Sequence, residues 1–302
     1  MKKKPTLAVL FGGNSPEYSV SLHSAYAVLT NLDGEKYHIL PLGITQTGRW
    51  YLYSGAYEHI ATDTWAEALD HLTPVAVSPD PAVHGLLALF PHENRVIPLD
   101  CALPILHGAN GEDGTVQGLF QLAGIPVAGC GTLASALCMD KDRAHKLAKL
   151  AGVAVPRSLV LQAWADPQRA AAFAQQTGYP LFVKPVNAGS SYGISQIHRP
   201  EERRPALDLA LEYDAQVILE EAIPGFEVGC AVMGTQELVV GGIDEIEVSQ
   251  GFVNFTEKYT RKTSAIHVPA RVSPDTARRV KETAKVIYRA LGCTGFARVD
   301  CF

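Results

Sequence analysis

A lysine at the end of a short apolar run, followed by a loop of small residues, is the first feature of this sequence that could do chemistry. Residues 179–183 have the length and composition of a strand, and Lys184 stands at the end of that strand. The loop that follows contains Gly189, Ser190, Ser191 and Gly193. Glycines free the backbone and serines add hydroxyls beside N–H groups, so such a loop can fold over phosphate oxygens. An ordinary strand and turn with a surface lysine fits this stretch equally well.

An acid stands close to the start of the first predicted helix. Residues 6–11 predict a buried strand that breaks at two glycines, and Ser15 then predicts a capped helix. This order is typical of dinucleotide-binding folds, but Glu17 occupies the place of their third glycine. Its carboxylate would repel a pyrophosphate, while a helix N-terminus stabilises an acid, so the site suits an ammonium group. A simple first-turn acid on a solvated helix is the alternative.

A second glycine-rich loop follows another predicted strand, at residues 101–106. It runs His-Gly-Ala-Asn-Gly-Glu-Asp-Gly over residues 107–114 and precedes a predicted helix at 115–122. Open α/β sheets bind ligands at the carboxyl ends of their strands. His107 could therefore contact a substrate, or it could merely cap the turn.

Further charged candidates lie in the second half of the chain. We predict one helix over residues 132–150, and it carries Lys141, although a helical lysine is usually solvated. A predicted strand at 217–221 ends in two acids, and a third follows a Pro-Gly turn: Glu220, Glu221 and Glu227. These acids resemble a hinge that accepts an adenine amine and a ribose, but an exposed hairpin would have the same composition.

Composition limits the classes of function. The 302 residues are enough for about two domains. With 47% hydrophobic and 19% charged residues the chain is typical of a soluble globular protein, and its net charge of -5 gives no basic footprint for nucleic acid. No apolar run approaches the length of a membrane span. The six cysteines form no C-x-x-C pair, which predicts reduced core residues of a cytosolic protein.

The remaining pattern predicts an α/β protein of two domains, residues 1–129 and 130–302. Additional strands are predicted at 37–44, 50–53, 194–197, 226–232, 238–248 and 296–302, and additional helices at 201–211 and 274–291.

Five separated motifs together resemble one family. They are Gly-Gly-Asn-Ser-Pro-Glu at 12–17, His-Gly-x-x-Gly-Glu-Asp-Gly at 107–114, Met-Asp-Lys at 139–141, Lys-Pro-x-x-x-Gly-Ser-Ser-x-Gly at 184–193 and Glu-Lys-Tyr at 257–259. In this order they resemble the D-alanine:D-alanine ligases, which are ATP-grasp enzymes. Residues 136–146 and 225–230 look closest to the vancomycin-type D-alanine:D-serine ligases of that family. The resemblance implies an N-terminal three-layer domain with a parallel sheet, followed by an ATP-grasp fold of two α+β lobes that clamp ATP.

The resemblance also implies a reaction and its surroundings. Family members use ATP with Mg²⁺, or Mn²⁺ in its place, to phosphorylate the carboxylate of one D-alanine. The amine of a second D-amino acid, D-alanine or D-serine, then attacks the acyl phosphate. The product enters peptidoglycan synthesis, so we expect a cytoplasmic ligase linked to cell wall biogenesis, cell shape and vancomycin resistance, which acts as a homodimer without nucleic acid or membrane partners.

Site residues carry over from the family motif by motif. Lys141 and Lys184 match the lysines on the nucleotide phosphates, and the remaining matches to the ATP site are Ser190, Ser191, Glu220, Glu221, Ile223, Glu227 on the ribose, and Lys258. Glu17 matches the acid that holds the first D-alanine ammonium, beside His107. Ser190 and Tyr259 match catalytic groups that close loops over the site. Lys258 matches a lysine near the acceptor carboxylate, and Arg298 matches the arginine that stabilises the tetrahedral intermediate. Asp300 matches a carboxylate that binds magnesium.

Two departures from the family pattern are visible. Ser19 stands where many members have a second acid, so the network around Glu17 is expected to differ. The sequence ends before the family's Glu-x-Asn metal ligands, which predicts that the last part of the fold is missing and that the polypeptide is a fragment.

Other functions remain open at this point. The chain could be a different ATP-grasp carboxylate–amine ligase, or a nucleotide-binding fragment without turnover. A Rossmann oxidoreductase is disfavoured because Glu17 replaces a glycine, and Tyr259 argues against the related D-lactate ligases.

Overall fold

A computed structural model describes residues 3–90, 94–162, 167–189, 191–248 and 264–302. The chain divides into two compact units, Met1–Ala136 and Leu137–Phe302. Each unit has its own sheets and core, and each is described by itself.

The first unit is built on one sheet of mixed direction. Its strands are β1 (Thr6–Gly12), β2 (His38–Ile44), β3 (Trp50–Tyr53), β4 (Leu72–Val77), β5 (Gly85–Leu89), β6 (Asn94–Pro98) and β7 (Cys101–Pro104), in the spatial order β6-β5-β4-β3-β2-β1-β7. The helices are α1 (Tyr18–Asn31), α2 (Glu58–Ala61), α3 (Thr115–Leu122) and α4 (Thr132–Met139), the last of which runs into the second unit. Strand β1 pairs in parallel with β2 and β7, whereas the pairs from β2 to β6 are antiparallel. The predicted parallel sheet is therefore present at β2-β1-β7 and extended by an antiparallel meander.

Strand β1 is buried along its whole length because helices cover both faces of the sheet. Ala8 and Leu10 pack into one cluster that includes Phe120 of α3. The alternate side chains of β1 pack into a second cluster that includes Leu22 of α1 and Trp65. Helix, sheet and helix thus form the three layers expected from the sequence.

The second unit contains two antiparallel sheets. The central sheet has the order β10-β9-β11-β8, from β8 (Ser158–Gln162), β9 (Leu181–Pro185), β10 (Ser195–Ile197) and β11 (Gln216–Glu221). The C-terminal sheet has the order β14-β13-β12-β15, from β12 (Glu227–Gly234), β13 (Leu238–Val248), β14 (Ser264–His267) and β15 (Phe296–Cys301). The helices are α5 (Lys141–Leu150), α6 (Pro167–Thr177), α7 (Arg203–Leu211) and α8 (Pro274–Ala290). This agrees with the two lobes predicted for an ATP-grasp fold.

The single helix predicted over residues 132–150 is wrong, because the chain forms two helices that break at Asp140. The backbone of Asp140 is extended, with φ -83° and ψ 101°, and its side chain accepts a hydrogen bond from the N–H of Arg143 at 2.9 Å. An aspartate in this position caps a new helix. Lys141 is therefore the first residue of α5 and lies at a helix N-terminus.

Three smaller expectations are refined. Helix α1 begins at Tyr18, so Glu17 lies at its N-cap position and Ser15 precedes the cap. Of the cysteines predicted to lie in the core, Cys230 and Cys293 are buried but Cys138 is exposed. The longest described helix, α8, has 17 residues, and across the described ranges no helix has both the length and the apolar composition to cross a bilayer.

Candidate active site

Glu17 is held in a buried position by the loop that leaves β1. Gly12 has φ +84°, and a Cβ there would lie 2.2 Å from the carbonyl oxygen of Ile44, so only glycine allows this exit from the strand. The N–H of Glu17 donates to Ser15 Oγ at 3.1 Å, and that hydroxyl donates to the carbonyl of His107 at 2.9 Å. Glu17 is only 4% exposed. The two loops predicted to carry ligand contacts are therefore tied together.

The glycine loop after β7 fits closely around this acid. Gly108 has φ +70°, and a Cβ there would lie 2.0 Å from Glu17 Oε2. The N–H of Gly108 donates to Glu112 Oε2 at 2.7 Å, and His107 Nε2 lies 3.1 Å from Ser24 Oγ. Sequence reasoning missed Glu112, although it lies in the quoted motif.

Glu17, His107 and Glu112 form a small anionic cluster. Their ligand atoms all lie within 4.8 Å of one another. Two carboxylates and an imidazole can bind a cationic group, either an ammonium or a divalent metal. The arrangement is compatible with the predicted role of Glu17 on an ammonium. Beside it, an open cleft of about 430 Å³ is lined by Asn14, Ser15, Pro16, Tyr18, Ser19 and Gln46.

In the second unit, Lys141 points at the entry to the glycine- and serine-rich loop. Its Nζ donates to the carbonyls of Val186 at 3.2 Å and Ala188 at 2.5 Å. The pKa of Lys141 is lowered to about 8, first by burial and then by the charge of Lys184, against the opposing effects of Glu220, Asp214 and Asp140. Lys141 therefore loses its proton more easily than an ordinary lysine.

Lys184 and Glu220 form an ion pair between neighbouring strands, in which Glu220 is buried and Lys184 is partly buried. Lys184 Nζ donates to Glu220 Oε2 at 2.6 Å and lies 5.2 Å from the ring centroid of Phe182. Glu220 is 1% exposed, and His145 Nδ1 lies 3.2 Å from its other oxygen. Burial alone would raise the pKa of Glu220, but His145 and Lys184 outweigh it and hold the pKa at about 2. Lys141 and Lys184 thus share one electrostatic cluster, while their predicted role on the nucleotide phosphates stays a prediction.

The loop after Lys184 is anchored at both ends to the segment between α7 and β11. The N–H and Nδ2 of Asn187 donate to Asp214 Oδ2 at 2.7 and 3.0 Å. Gly193 has φ +67°, and a Cβ there would lie 2.7 Å from the ring of Tyr213. Ser191 also has a positive φ, of 62°. The base of the predicted phosphate loop is therefore fixed, whereas Ser190 lies outside the described residues.

The residues predicted to form an adenosine pocket differ in their hydrogen-bond partners and in their exposure to solvent. Glu221 accepts hydrogen bonds from the N–H of Arg157 at 2.8 Å and from its Nε at 2.6 Å, which lowers the pKa of this carboxyl. Ile223 is 40% exposed. Glu227 begins β12, and its Oε1 lies 3.9 Å from Arg298 Nη2. Glu220 points into the lysine cluster, so the three acids do not share one environment.

Arg298 and Asp300 lie on the C-terminal sheet. Arg298 Nε lies 2.8 Å from Asp300 Oδ1, and Arg298 Nη2 lies 3.7 Å from Asp244 Oδ2. Sequence reasoning missed Asp244, which lies inside the predicted strand 238–248. An acid among the β-branched residues of a strand was the available signal. The structure therefore brings Arg298 together with Glu227, Asp300 and a further acid.

Three predicted site residues, Ser190, Lys258 and Tyr259, lie outside the described residues, so their roles stay predictions. Among the rest, Glu17 and His107 belong to the first unit. The others belong to the second unit: Lys141, Lys184, Ser191, Glu220, Glu221, Ile223, Glu227, Arg298 and Asp300.

Comparison with known proteins covers almost the whole chain. The family model described as D-ala D-ala ligase N-terminus matches residues 6–130, and the one described as D-ala D-ala ligase C-terminus matches residues 147–302. Vancomycin C-type resistance protein VanC1 of Enterococcus gallinarum is 41% identical, over 100% of this chain and 85% of the relative. A putative D-alanine--D-lactate ligase of Streptomyces coelicolor is 42% identical, over 98% of this chain and 84% of the relative.

A solved structure shares both fold and sequence. The crystal structure of VanG D-Ala:D-Ser ligase from Enterococcus faecalis matches with a TM-score of 0.90 and 52% identity, and the match covers 99% of this chain and 86% of that chain. At this similarity the two chains share the same architecture throughout the matched region.

Proposed function

This chain belongs to the D-alanine–D-alanine ligase family, and we propose that it joins D-alanine to a second D-amino acid with the conversion of ATP to ADP and phosphate. The acceptor is D-alanine or D-serine, and the 52% identity to a D-Ala:D-Ser ligase favours D-serine. The product is a dipeptide for peptidoglycan precursors. The level of identity to a putative D-lactate ligase is lower, at 42%.

The first chemical step forms an acyl phosphate. A carboxylate oxygen of D-alanine attacks the γ-phosphorus of ATP, the bond to the bridging oxygen breaks, and ADP leaves. Lys141 and Lys184 supply fixed positive charge to the phosphates during this transfer. Both side chains are already oriented, Lys141 by two loop carbonyls and Lys184 by Glu220. The phosphates replace part of these contacts when nucleotide binds.

The substrate ammonium is bound by the anionic cluster of the first unit. Glu17, with His107 and Glu112 beside it, holds the amino group of the first D-alanine. The predicted closure of loops by Ser190 and Tyr259 excludes water, which would otherwise hydrolyse the acyl phosphate.

The second step forms the peptide bond. The neutral amine of the acceptor attacks the acyl carbon and a tetrahedral intermediate forms. The bond from carbon to the phosphate oxygen then breaks, the nitrogen releases a proton, and phosphate leaves with it. Arg298 spreads the negative charge of the intermediate over its planar guanidinium. Lys258 is proposed to bind the acceptor carboxylate.

Asp300 also fits a hard divalent cation. Its carboxylate projects from the face of the C-terminal sheet that carries Arg298, and oxygen ligands are what Mg²⁺ requires. Asp300 would hold the ion, and when bound the ion would neutralise charge on the nucleotide phosphates.

The observation that carries this proposal is the shared cluster of Lys141, Lys184 and Glu220 in a chain that matches the ligase family along its length. We expect the purified protein to release ADP with D-alanine, and D-serine to stimulate release and appear in a mixed dipeptide by mass spectrometry. L-alanine is the matched control. Absence of stimulation by either D-amino acid would contradict the proposal.

A variant separates this function from another carboxylate–amine ligase. Glu17→Gln removes the charge proposed to hold the D-alanine ammonium, so the KM for D-alanine should rise by about tenfold or more. Another substrate without this ammonium would leave the reaction of Glu17→Gln unchanged.

We also propose that the protein is a cytoplasmic homodimer, as the family resemblance predicts. Light scattering after size-exclusion chromatography measures the mass, and a monomer at micromolar concentration would contradict this part of the proposal.

A further inference from the structure

We propose that Asp244 is a positioning residue for Arg298, which keeps the guanidinium over Gly229 when Asp300 is engaged elsewhere. This inference rests on the proposed function, because it assigns Arg298 to the reacting carbonyl and Asp300 to a metal ion. It concerns a residue that neither the motifs nor the family resemblance singled out.

The strand register places the two acids on either side of one glycine. Gly229 of β12 pairs with Asp244 of β13 and with Asp300 of β15. Side chains of directly paired residues project from the same face of a sheet, and so do residues two apart in one strand. Asp244, Asp300 and Arg298 therefore share one face, and the strand between them presents no side chain at Gly229.

The missing side chain at Gly229 leaves the space in which the ions meet. A Cβ at Gly229 would lie 2.7 Å from Arg298 Nε, and 2.7 and 2.8 Å from the two carboxylate oxygens of Asp244. Both charged groups therefore rest directly on the backbone of β12. Glycine is required at this position for steric reasons, because any Cβ would collide with the two charged groups. The backbone conformation of Gly229 does not itself require glycine, since its φ is not positive.

The two acids contact different parts of the guanidinium. Asp300 Oδ1 lies 2.8 Å from Nε, at hydrogen-bonding distance, whereas Asp244 Oδ2 lies 3.7 Å from Nη2. A planar fork held at both its inner and outer nitrogens has a defined orientation, while one contact leaves it free to rotate. Asp300 is the closer partner of Arg298 in this structure, and Asp244 is the more distant one.

In the proposed reaction Asp300 would bind a metal ion in addition to Arg298. A carboxylate that binds a metal ion offers fewer lone pairs to Arg298, so the contact with Nε weakens. Glu227 is proposed to bind the ribose. Of the acids described near Arg298, Asp244 is the one that the proposed reaction leaves available to hold the guanidinium.

A purely structural surface ion pair is the competing explanation. The Arg298 and Asp244 side chains are 45% and 26% exposed, and exposed pairs add little to stability. The positioning role therefore predicts a loss of turnover without a loss of stability.

Kinetics of three variants test this prediction. We expect Asp244→Asn to lower kcat by about tenfold and to leave the KM for ATP within about twofold, with an unchanged melting temperature. Asp244→Glu keeps the charge and should recover a large part of the loss. Glu247→Gln is the matched control, because Glu247 lies on the same strand but on the opposite face, where it pairs with His267.

Two kinetic outcomes would overturn the inference. One is a kcat of Asp244→Asn within about twofold of the wild type. The other is a fall in kcat accompanied by a lower melting temperature and a higher KM for ATP, with no recovery in Asp244→Glu, because that pattern describes a structural residue. Gly229→Ala should act like Asp244→Asn, since its methyl group displaces both charged groups.

A spectroscopic measurement tests the inference without substrate or metal. The ¹⁵Nε–H signal of Arg298, assigned with Arg298→Lys, reports the mobility of the guanidinium. In Asp300→Asn, which imitates an engaged Asp300, we expect the signal to stay ordered. In the double variant Asp300→Asn/Asp244→Asn we expect its order parameter to fall below about 0.6. Equal mobility in the single and double variants would refute the positioning role.

The two proposals fail in distinguishable ways. A wild-type protein that is inactive with every D-amino acid refutes the proposed function, while the relaxation measurement still decides whether Asp244 holds Arg298.

Discussion

The two sheets of the second unit hold their functional charges in opposite ways. On the central sheet, Glu220 is 1% exposed and is enclosed by Lys184 and His145, and the pKa of the neighbouring Lys141 is lowered to about 8. On the C-terminal sheet, Arg298 and Asp300 are 45% and 44% exposed. In the proposed reaction both sheets present cations to a reacting phosphate or carbonyl, but only the central sheet removes charged groups from water to do so.

The difference in burial determines whether the charged groups of each sheet contribute to stability as well as to function. A buried ion pair costs desolvation free energy, so loss of either partner leaves an uncompensated charge inside the protein. An exposed pair is screened by water and contributes little to folding. Substitutions in the Lys184–Glu220 pair should therefore affect both folding and activity, whereas those around Arg298 should affect activity alone.

The largest effect is expected for Lys184→Met, which leaves Glu220 buried without its cation. We expect the free energy of unfolding to fall by about 3 kcal/mol and ligase activity to fall by about a thousandfold. Urea denaturation and ADP release measure the two quantities. The double variant Lys184→Met/Glu220→Gln should recover most of the stability and none of the activity. Wild-type stability in the single variant would contradict the predicted cost of leaving Glu220 without its cation.

Arg298→Lys tests the exposed sheet. It keeps the charge but loses the planar fork, so we expect kcat to fall by about a hundredfold while the free energy of unfolding changes by less than about 1 kcal/mol. Arg278→Lys on α8, which pairs with Asp275 at the surface, is the matched control and should have wild-type kinetics. A parallel loss of stability in Arg298→Lys would show that the two sheets do not differ in this respect.

A pH series examines Lys141. Because its pKa in the free protein is about 8, the lysine is charged at pH 7 and mostly neutral at pH 9. Phosphates favour the charged form, so the Kd for ADP should increase by about tenfold from pH 7 to pH 9 as this charge is lost. Isothermal titration calorimetry measures the affinity. Lys141→Arg stays protonated and should flatten the profile, and an equally steep profile in that variant would exclude Lys141 as the titrating group.

The smallest effect is expected for Glu221→Gln, a substitution on the same strand as Glu220. Glu221 pairs with Arg157 in contact with solvent, so its loss should lower the free energy of unfolding by no more than about 1 kcal/mol. Glu220→Gln, one residue earlier, should cost about 3 kcal/mol. Urea denaturation of the two variants side by side checks this. Equal losses would mean that burial does not distinguish the two acids.

The sequence predicted those elements in which local pattern and tertiary structure agree. Strand β13 and helix α3 have the predicted bounds. In α3 the apolar spacing matches the buried face, which includes Val116 and Phe120. The break at Asp140 was missed because the Met-Asp-Lys segment contains no glycine or proline, and an aspartate marks a cap only once its partner N–H is known.

Only those candidate site residues that lie in recognisable motifs could be predicted from the sequence. Lys141 and Lys184 were assigned from motifs, and their roles stay predictions. Nothing in their spacing fixes the ion pair of Lys184 with Glu220, which depends on the register of β9 and β11. Asp244 depends in the same way on the register of β12, β13 and β15. Contacts between strands distant in sequence become visible only in the folded chain.

Isotope transfer is the most direct test of ATP-dependent ligation through an acyl phosphate. In a reaction with D-alanine labelled with ¹⁸O in its carboxylate, one labelled oxygen should pass to inorganic phosphate for each dipeptide formed, because the carboxylate oxygen attacks phosphorus and later leaves with it. Mass spectrometry of the phosphate detects this transfer. Formation of dipeptide with unlabelled phosphate, or with the label in AMP, would contradict the account.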